Sequence, residues 1–392
     1  MTSAARRRVL LAGGQVGPFG RQPERSMAEL SRPVVADALA DAGIDARAVE
    51  CAFVGNGFGG MIHGQETILG QTLLAPCGLE GIPVHNVKNA CSSGSAAFAL
   101  AWNAVAFGQH ECVLVLGVEK MTHPERGRTL AALASATDRV PESDQRSVFM
   151  DVQAQRARAY MALHGASERD FALCAVKNRS HAQLNACAAE RMPLSVESVL
   201  QDRPVLWPLT RSMCGGLCDG AAAAVLVSPA FARSRGVANP VEVAASVVLS
   251  GRPSRAADEP SVLARAGQKA YEMAGIGPQA IALAEVHDPT SPQELLDLEE
   301  LALTPLGQAW RWLQRGDLAL GGRLPINVSG GLVSRGHPVG ATGVAQIVEI
   351  SRQLQGRSGH SQVTGAQVGL AQMSGGLLGQ ESAVATVHIL VS

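Results

Sequence analysis

The stretch that decides the fold is NACSSGS, residues Asn89 to Ser95. A short strand-like segment, Val84 to Asn86, precedes it, and an alanine-rich helix is predicted to run from Cys91 to about Ala106. At a helix start, amide N–H groups and the helix dipole stabilise a thiolate, which is the reactive form of cysteine, and they also hold an oxyanion. Cys91 is therefore a candidate nucleophile. A buried, inert cysteine is the alternative interpretation of this stretch alone.

The same order of segments occurs around this stretch and again in the second half of the chain: a helix, a short apolar strand and a glycine-containing turn. Apolar runs of four to eight residues that alternate with helices indicate buried strands in a layered α/β fold. The chain is thus predicted to contain two related halves. The expected helices are 27–42, 261–274, 293–301 and 340–354, and the expected strands are 51–57, 112–117, 283–287, 367–371 and 383–390.

Between the halves, from about Thr122 to Arg211, charged helices and loops replace this pattern, and we interpret them as an excursion from the first half. Residues 218–228 return to a strand-like apolar run, and residues 234–240 are predicted to link the halves. The expected boundaries are residues 1–238 for the first half and 239–392 for the second.

Composition excludes several classes of protein. The 392 residues are 46% hydrophobic and 17% charged, which suits a large buried core, and 33 Lys and Arg nearly balance 34 Asp and Glu. No basic field is therefore available for nucleic acid or an anionic membrane. No apolar run approaches the roughly 18 residues of a membrane span. The eight cysteines lack the paired spacing of a zinc site, so we expect no metal and a reduced, cytoplasmic protein.

Two histidines stand in turns that suit catalysis. His337 lies in SRGHPVGATG, residues Ser334 to Gly343, where glycines permit the close approach of a ligand before a helix begins. It could donate a hydrogen bond to a thioester carbonyl or accept a thiol proton. A phosphate-binding loop is the rival interpretation, but the Walker lysine is missing. His287 ends a predicted strand, at the sheet edge where α/β proteins bind ligands.

These motifs together resemble a known family. NACSSGS, VLVLGVEKM, CDGAAAA, EVHD, NVSGG and SRGHPVGATG stand in the order and spacing of a thiolase, and the chain looks most similar to the sterol-carrier-protein-type thiolases. The resemblance implies a five-layer αβαβα fold of two similar halves, a loop domain that contacts coenzyme A, and a homodimer or homotetramer. It implies a coenzyme A thioester as substrate and no tightly bound cofactor.

The resemblance also implies roles for individual residues. Cys91 matches the acyl-accepting nucleophile, and His337 matches the residue that activates it and contributes to an oxyanion hole. His287 matches the histidine that helps to stabilise the enolate of the second substrate. Gly375 and Gly376 match the C-terminal glycine loop beside the nucleophile.

The sequence departs from the family where a second catalytic cysteine is expected. Pro289 follows His287-Asp288, and the C-terminal loop has Met373 and Ser374 in place of a Cys-x-Gly element. Proline and methionine do not titrate, so neither supplies the base for α-proton removal. Three other residues are candidates for that base, although structural roles are favoured for all of them: His63, Cys214 and Cys218.

The leading hypothesis is acyl transfer through acyl-Cys91, with one cysteine and two histidines as in decarboxylating ketosynthases. The acceptor is a malonyl-type carbanion or another carbon, nitrogen or oxygen nucleophile. A conventional 3-ketoacyl-CoA thiolase or acetyl-CoA acetyltransferase is the first alternative. An aldol-cleaving lyase or a non-catalytic subunit, working with a small acyl-CoA-binding partner protein, is the second, and the retention of Cys91 argues against it.

Two further expectations concern binding surfaces. Lys177, Asn178 and His181, about one turn apart on a predicted helix, form the best basic cluster for the phosphates of coenzyme A. A solvated charged face is the alternative. The low-charge, strand-like stretch from Asn86 to Cys91 could pair with a second copy across a two-fold axis.

Overall fold

One mixed sheet forms the framework of the protein. A computed structural model describes residues 6–138, 147–256 and 258–392. In this part of the chain the strands are β1 (Leu10–Val16), β2 (Cys51–Gly55), β3 (Val84–Val87), β4 (Cys112–Lys120), β5 (Pro204–Leu206), β6 (Leu209–Thr210), β7 (Asp219–Val227), β8 (Val241–Ser250), β9 (Leu283–Glu285), β10 (Val368–Leu378) and β11 (Glu381–Val391). Nine of them join in the order β3-β2-β4-β7-β1-β8-β11-β10-β9, and β5 pairs with β6.

The sheet consists of two sets of strands with the same order. In the first set β2 and β4 are parallel, and β7 and β1 follow antiparallel; in the second set β9 and β10 are parallel, and β11 and β8 follow antiparallel. The sets meet where Leu10 and Leu11 of β1 pair with β8. This repeat confirms the two similar halves, while the boundary at residue 238 stays a prediction.

Helices form three layers. One layer lies between the two sets of strands, and one lies on the outer face of each set. The helices are α1 (Met27–Ala42), α2 (Gly59–His63), α3 (Leu69–Leu74), α4 (Ser93–Ala106), α5 (Arg126–Ala134), α6 (Val148–His164), α7 (Glu168–Gln183), α8 (Val196–Gln201), α9 (Pro229–Arg235), α10 (Val262–Ala274), α11 (Ser291–Glu300), α12 (Ala309–Gln314) and α13 (Val339–Leu354). The central layer is α4 with α13, which contact strands of both sets, whereas α1 covers the outer face of the first set and α10 that of the second. The predicted five-layer αβαβα arrangement is confirmed.

Small residues let the two central helices approach each other. Both are buried almost all round, and they share a core with the inner faces of both strand sets. A Cβ on Gly94 would lie 2.3 Å from the carbonyl oxygen of Gly340. Only glycine fits at this contact, so the N-termini of α4 and α13 lie close together. Cys91 precedes α4 and His337 precedes α13, so this contact brings two candidate catalytic residues near each other.

The outer helices follow ordinary sequence rules. Ser26 and Glu29 form a capping box at the start of α1, and Gly43 ends this helix in the left-handed conformation, with φ of 66°. In α10, the buried residues Leu263, Ala266 and Ala270 recur at helical spacing. These two helices begin and end within one residue of their predicted positions.

Two segments differ from the prediction near the candidate site. The helix predicted to open at Cys91 begins at Ser93, after Ser92 as N-cap. The predicted C-terminal glycine loop lies inside β10, which extends to Leu378. Gly376, with φ of 64°, is passed over in the pairing between β10 and β11, so it forms an irregularity within the strand rather than a loop.

The predicted excursion contains α5 to α8 with the β5–β6 hairpin, and its residues 139–146 lie outside the described residues. Helix α7 packs on α11 of the second half, on α12 and on the π-helical turn Gly331–Arg335. The excursion is thus attached to the segments that carry both candidate histidines. Among the described residues, no helix combines the length and hydropathy that crossing a bilayer requires.

Candidate active site

A tight turn between β3 and α4 presents Cys91. Ala90 has φ of 47°, which is uncommon for a residue other than glycine and marks local strain. The turn is closed by backbone hydrogen bonds from Ser92 N to Asn89 O (3.0 Å) and from Ser93 N to Ala90 O (3.1 Å). Cys91 as a whole residue is partly exposed, and it lines a cavity in which apolar side chains pack against it.

The structure brings the three predicted catalytic side chains together. The sulfur of Cys91 and one ring nitrogen from each of His287 and His337 all lie within 4.8 Å of one another. The two rings meet edge to face, with centroids 5.5 Å apart and planes at 68°. A thiol between two imidazoles suits proton transfer during acyl transfer. It would also suit zinc, and the expectation that no metal binds stays a prediction.

The hydrogen bonds of Thr342 determine which nitrogen of His337 carries the proton. The Thr342 hydroxyl donates its one proton to the carbonyl oxygen of Pro338 (3.0 Å). It therefore accepts at 2.8 Å from Nδ1 of His337. Nε2, which has no hydrogen-bond partner among the described residues, is then unprotonated. His337 is thus arranged to accept a proton.

His287 is fixed through its backbone rather than its ring. Its N–H donates to Oε1 of Gln372 (2.8 Å), while its Nε2 has no hydrogen-bond partner in the part of the chain that the structure describes. Burial and, secondarily, the charge of the nearby Arg156 lower the pKa of His287 to about 3. Burial also holds the pKa of His337 well below its usual value, with His287 adding to the effect. Both rings are neutral at pH 7.

The thiol of Cys91 is protonated before substrate binds. Burial and, secondarily, the charge of Glu119 raise its pKa to about 12, against the opposing effect of N–H groups from Gly376 and from Cys91 itself. This corrects the expectation that a helix start stabilises the thiolate, since α4 begins two residues later and apolar side chains enclose the sulfur. The nucleophile needs a base.

Sequence reasoning missed Glu119, a fully buried carboxyl group at the end of β4. Its oxygens accept from Gly57 N (2.7 Å), Phe58 N (3.2 Å), Asn56 Nδ2 (3.0 Å) and Gly340 N (3.1 Å). Burial raises its pKa to about 7. Glu119 thus joins the loop after β2 to the start of α13. An acidic residue directly after the apolar run from Cys112 to Val118 was the available signal.

The cavity around Cys91 has a volume of about 160 Å³. Among the described residues that line it, Cys91 is the only cysteine, and Pro289 and Ser374 occupy the wall. The hydroxyl of Ser374 accepts from Nε2 of Gln372 (3.0 Å). Nine further residues of the wall are apolar: Phe58, Met121, Leu133, Ala136, Phe149, Met150, Leu217, Val339 and Leu377.

A second cavity of about 700 Å³ adjoins the first, and the two share Met121, Gly215, Gly216 and Leu217. Its wall includes four arginines and a histidine: Arg21, Arg126, Arg203, Arg211 and His123. Cys214 and Cys218 also lie in this wall rather than around Cys91, and burial raises the pKa of both thiols.

His63 lies outside the described lining of both cavities. Its Nε2 is 2.9 Å from the carbonyl oxygen of Lys120, and its ring packs against His123. His63, Cys214 and Cys218 are therefore poorly placed to act as a base beside Cys91.

The predicted coenzyme A cluster is a buried network instead. Lys177 is 3.0 Å from Oε1 of Glu294, and Asn178 donates to Glu294 (2.7 Å) and to Asp288 (2.9 Å). His181 contacts the backbone, through Asn327 O and Leu320 N. Because all three side chains are at least nine-tenths buried and bonded within the protein, the assignment to coenzyme A phosphates is corrected.

Two family models match the sequence. The model described as thiolase, N-terminal domain, matches residues 9–203, and the one described as thiolase C-terminal domain-like matches residues 254–390.

Curated relatives cover nearly the whole chain. Benzoylsuccinyl-CoA thiolase subunit BbsB of Thauera aromatica is 35% identical over 378 residues, which are 94% of this chain and 95% of that protein. Acetyl-CoA acetyltransferase of Methanothermobacter thermautotrophicus is 35% identical over 388 residues, 98% of this chain and 99% of that protein. Human sterol carrier protein 2 is 35% identical over 386 residues, 94% of this chain and 70% of that protein.

Solved structures share the fold. The Ltp2-ChsH2(DUF35) aldolase superposes with a TM-score of 0.81 at 24% identity, covering 100% of this chain and 99% of that one. Human mitochondrial 3-ketoacyl-CoA thiolase in complex with CoA has a TM-score of 0.74 at 17% identity, covering 98% of each chain.

Proposed function

This chain belongs to the thiolase family and is an acyl-CoA acyltransferase, and from that premise we propose that it works through an acyl thioester on Cys91. The observation that supports the proposal is the meeting, within 4.8 Å, of the Cys91 sulfur with one ring nitrogen from each of two neutral histidines.

In the first half-reaction, Nε2 of His337 takes the thiol proton as the sulfur of Cys91 attacks the carbonyl carbon of the acyl-CoA. The bond between that carbon and the sulfur of coenzyme A breaks, and the departing coenzyme A thiolate accepts the proton from His337. Free coenzyme A and acyl-Cys91 result. Because the pKa of Cys91 is raised to about 12 and His337 is neutral, base assistance is the step that makes the sulfur nucleophilic.

Backbone amides stabilise the intermediate of this step. The N–H groups of Cys91 and Gly376 lie close enough to act on the sulfur, so they adjoin the carbon that it attacks. An oxyanion there would accept from both, and such preorganised donors contribute on the order of 10²–10³ to the rate. The absence of a side chain at Gly375 lets β10 approach the turn that carries Cys91, since a Cβ there would lie 2.9 Å from Ser92 N.

In the second half-reaction the acyl group passes to a nucleophile, which we propose to be a carbanion in a Claisen-type condensation. Ser374 and Pro289 provide no titratable base, so we assign proton transfer or enolate stabilisation to His287, one ring nitrogen of which lies within 4.8 Å of the Cys91 sulfur. A decarboxylating acceptor would need no base. Acyl transfer to a nitrogen or oxygen nucleophile is the alternative for this step.

The two cavities suggest how the substrate lies. Arginines bind phosphates through paired N–H donors, so the nucleotide of coenzyme A is placed in the larger, basic cavity and the acyl group beside Cys91. The smaller cavity is similar in volume to the roughly 150 Å³ apolar cavity that accepts benzene in an engineered protein. Acyl groups of about that size are expected.

A homodimer through β3 is part of the proposal. This strand lies at the edge of the sheet, and His85 and Asn86 on it are exposed. Edge strands offer unpaired backbone groups to a second copy. A small acyl-CoA-binding partner protein is kept as a second proposal, because one relative is named as a subunit. The mass of the purified protein in solution, alone and with such a partner, tests both.

A cytoplasmic location is kept as a proposal as well. All eight cysteines are unpaired, which accords with a reducing compartment. Fractionation of cells that produce the full chain tests it.

An exchange assay tests the proposed function without knowledge of the acceptor. Acyl-CoA is mixed with isotopically labelled free coenzyme A, and label entering the acyl-CoA is measured. We expect exchange with wild-type protein, none with Cys91→Ala and at least 100-fold less with His337→Gln, since general bases contribute about 10²–10⁴. Cys77→Ser, which alters a cysteine outside both cavities, is the control. Full exchange by Cys91→Ala would overturn the proposal, and aldol cleavage without exchange would support a lyase.

A further inference from the structure

The cavity that holds Cys91 also contains a positively charged side chain, Arg156 of α6. Its Nη1 donates to Oε1 of Gln293 (3.3 Å) and its Nη2 to the carbonyl oxygen of Gln380 (3.0 Å). Both acceptors are neutral, and Arg156 takes part in none of the ion pairs found among residues 6–138, 147–256 and 258–392. By contrast, the buried Arg335 is paired with Glu285. The catalytic reaction described above gives Arg156 no role.

The guanidinium is held in one orientation. Nε2 of Gln293 donates to Oδ1 of Asp297 (2.6 Å), so the oxygen of Gln293 is turned towards Arg156. Burial raises the pKa of Asp297 well above its usual value, which weakens it as a counter-charge. Arg156 has five N–H donors, and two are used in these contacts. Donors remain for a planar anion, which arginine binds through two parallel hydrogen bonds.

The surroundings of Arg156 suit a carboxylate at the end of a short chain. Gln153, one turn earlier on α6, uses its Oε1 to accept from Thr290 (2.9 Å), which leaves its amide N–H groups for another partner. Ser382 adds a hydroxyl to the same wall. The same wall also contains apolar residues, Met150 and Leu377 among them, which suit the methylene groups of such a chain. A half-buried cation such as Arg156, which has no counter-ion among the residues that the structure describes, is costly unless a ligand supplies one.

We propose that Arg156 forms a carboxylate subsite, so that the preferred acyl groups carry a second carboxylate at the end remote from the thioester. The substrate class is then a dicarboxylic acid monothioester of coenzyme A. The methylene groups of the acyl chain contact the apolar wall, and the distal carboxylate accepts from Arg156 and from Gln153. This inference rests on the proposed function, because it assumes that the acyl group reaches Cys91.

Matched pairs of substrates test the subsite in the exchange assay. Succinyl-, glutaryl- and adipyl-CoA are compared with butyryl-, pentanoyl- and hexanoyl-CoA, which have the same numbers of acyl carbons. Wild-type protein is expected to prefer the carboxylated member of at least one pair by tenfold or more in kcat/KM, since charge-assisted hydrogen bonds are the strong ones. Arg156→Gln should reduce that preference by at least tenfold, and Arg156→Lys should retain part of it.

Arg158→Gln is the matched control, because Arg158 lies on the same helix but donates to the carbonyl oxygen of Trp207, outside this cavity. It should keep the preference. Equal use of both members of every pair by wild-type protein would overturn the subsite, and so would an equal loss of both substrates in Arg156→Gln. Exchange with neither class of substrate would instead contradict acyl transfer itself, so the two failures are distinguishable.

Discussion

At the scale of single residues, Cys91 differs from the usual activated cysteine. Its pKa is raised to about 12 because the sulfur is buried and Glu119 is near. A raised thiol pKa keeps the resting nucleophile protonated and therefore protects it from indiscriminate alkylation and oxidation. In the proposed mechanism, activation then depends on proton transfer from the thiol to His337 as the sulfur attacks the substrate.

The pH dependence of alkylation follows from this state. Below the pKa of a thiol, the thiolate fraction rises about tenfold per pH unit. In the free enzyme, the rate of Cys91 modification by iodoacetamide should therefore rise steadily from about pH 7 to pH 10. Peptide mapping separates Cys91 from the partly exposed Cys77 and Cys187. A plateau below pH 8 would indicate a stabilised thiolate and would contradict the account.

Thr342 acts as a positioning residue for His337. Replacing it with valine removes the acceptor of the Nδ1 proton, so the ring loses one hydrogen bond and its preference for one tautomer. A net hydrogen bond is worth about 1 kcal/mol, which corresponds to about a fivefold change. Coenzyme A exchange by Thr342→Val should fall about five- to tenfold in kcat with little change in KM.

Thr342→Ser is the control for this substitution, because it restores the hydroxyl and should restore the rate. An unchanged rate in Thr342→Val would show that the hydroxyl does not position the ring.

At the scale of secondary-structure elements, the buried network of α7 connects the excursion to both histidine-bearing segments. Asn178 donates to Asp288, the neighbour of His287, and Asp288 accepts from Leu332 N (2.7 Å) in the turn that precedes His337. Lys177 bonds to the carbonyl oxygen of Ile326 (2.8 Å) and pairs with Glu294. The network thus holds α7, α11 and the turn before α13 together.

Removing the cation from this network should destabilise the protein. Lys177→Met leaves Glu294 buried without its ionic partner, and breaking such a buried pair typically costs about 3–5 kcal/mol. We expect a fall of several degrees in the midpoint of thermal unfolding. Arg169→Gln, which breaks an exposed pair with Glu197, should have a small effect. Weaker coenzyme A binding by Lys177→Met at an unchanged midpoint would instead favour the original phosphate-binding interpretation.

Much of the fold could be predicted because the determining signals are local. The capping box of Ser26 and Glu29 marks the start of α1, and the apolar run ending at Val227 is a buried strand. The three catalytic candidates were recognisable from small motifs rich in glycine and serine. Pattern alone could not show that the polar face of α7 points inwards. Lys177 and Asn178 are buried because Glu294 and Asp288, more than 100 residues away in sequence, supply their partners.

The position of Cys91 was less predictable for a similar reason. The left-handed conformation of Ala90 delays the start of α4 to Ser93, and the glycine pair of β10 continues a strand instead of forming a loop. Neither feature has a local sequence signal, since both depend on α13 and β11 packing against them. The burial of Glu119, which raises the pKa of Cys91, likewise depends on contacts from β2 and α13.

At the scale of the whole molecule, the two similar halves create the site at their junction. Cys91 comes from the first half, and His287 and His337 come from the second. The excursion adds α6 to the wall of the smaller cavity and most of the basic residues to the wall of the larger one. Neither half alone contains a complete acyl-transfer site.

The basic wall predicts a dependence on the nucleotide part of the substrate. Arg203→Gln combined with Arg211→Gln should lower the preference for acyl-CoA over an acyl-N-acetylcysteamine thioester, which has no phosphates, by about tenfold in kcat/KM. Arg128→Gln removes the same charge from an exposed site outside that wall and is the control. An unaltered preference in the double variant would place the nucleotide elsewhere.

The central claim is that Cys91 carries the acyl group, and the mass of the intact protein after brief incubation with acyl-CoA tests it most directly. The account predicts an increase equal to one acyl group, absent in Cys91→Ser, removed by excess coenzyme A, and located on the peptide that contains residues 89–95. An unchanged mass with every acyl-CoA tested, or an adduct of the same size on Cys91→Ser, would contradict it.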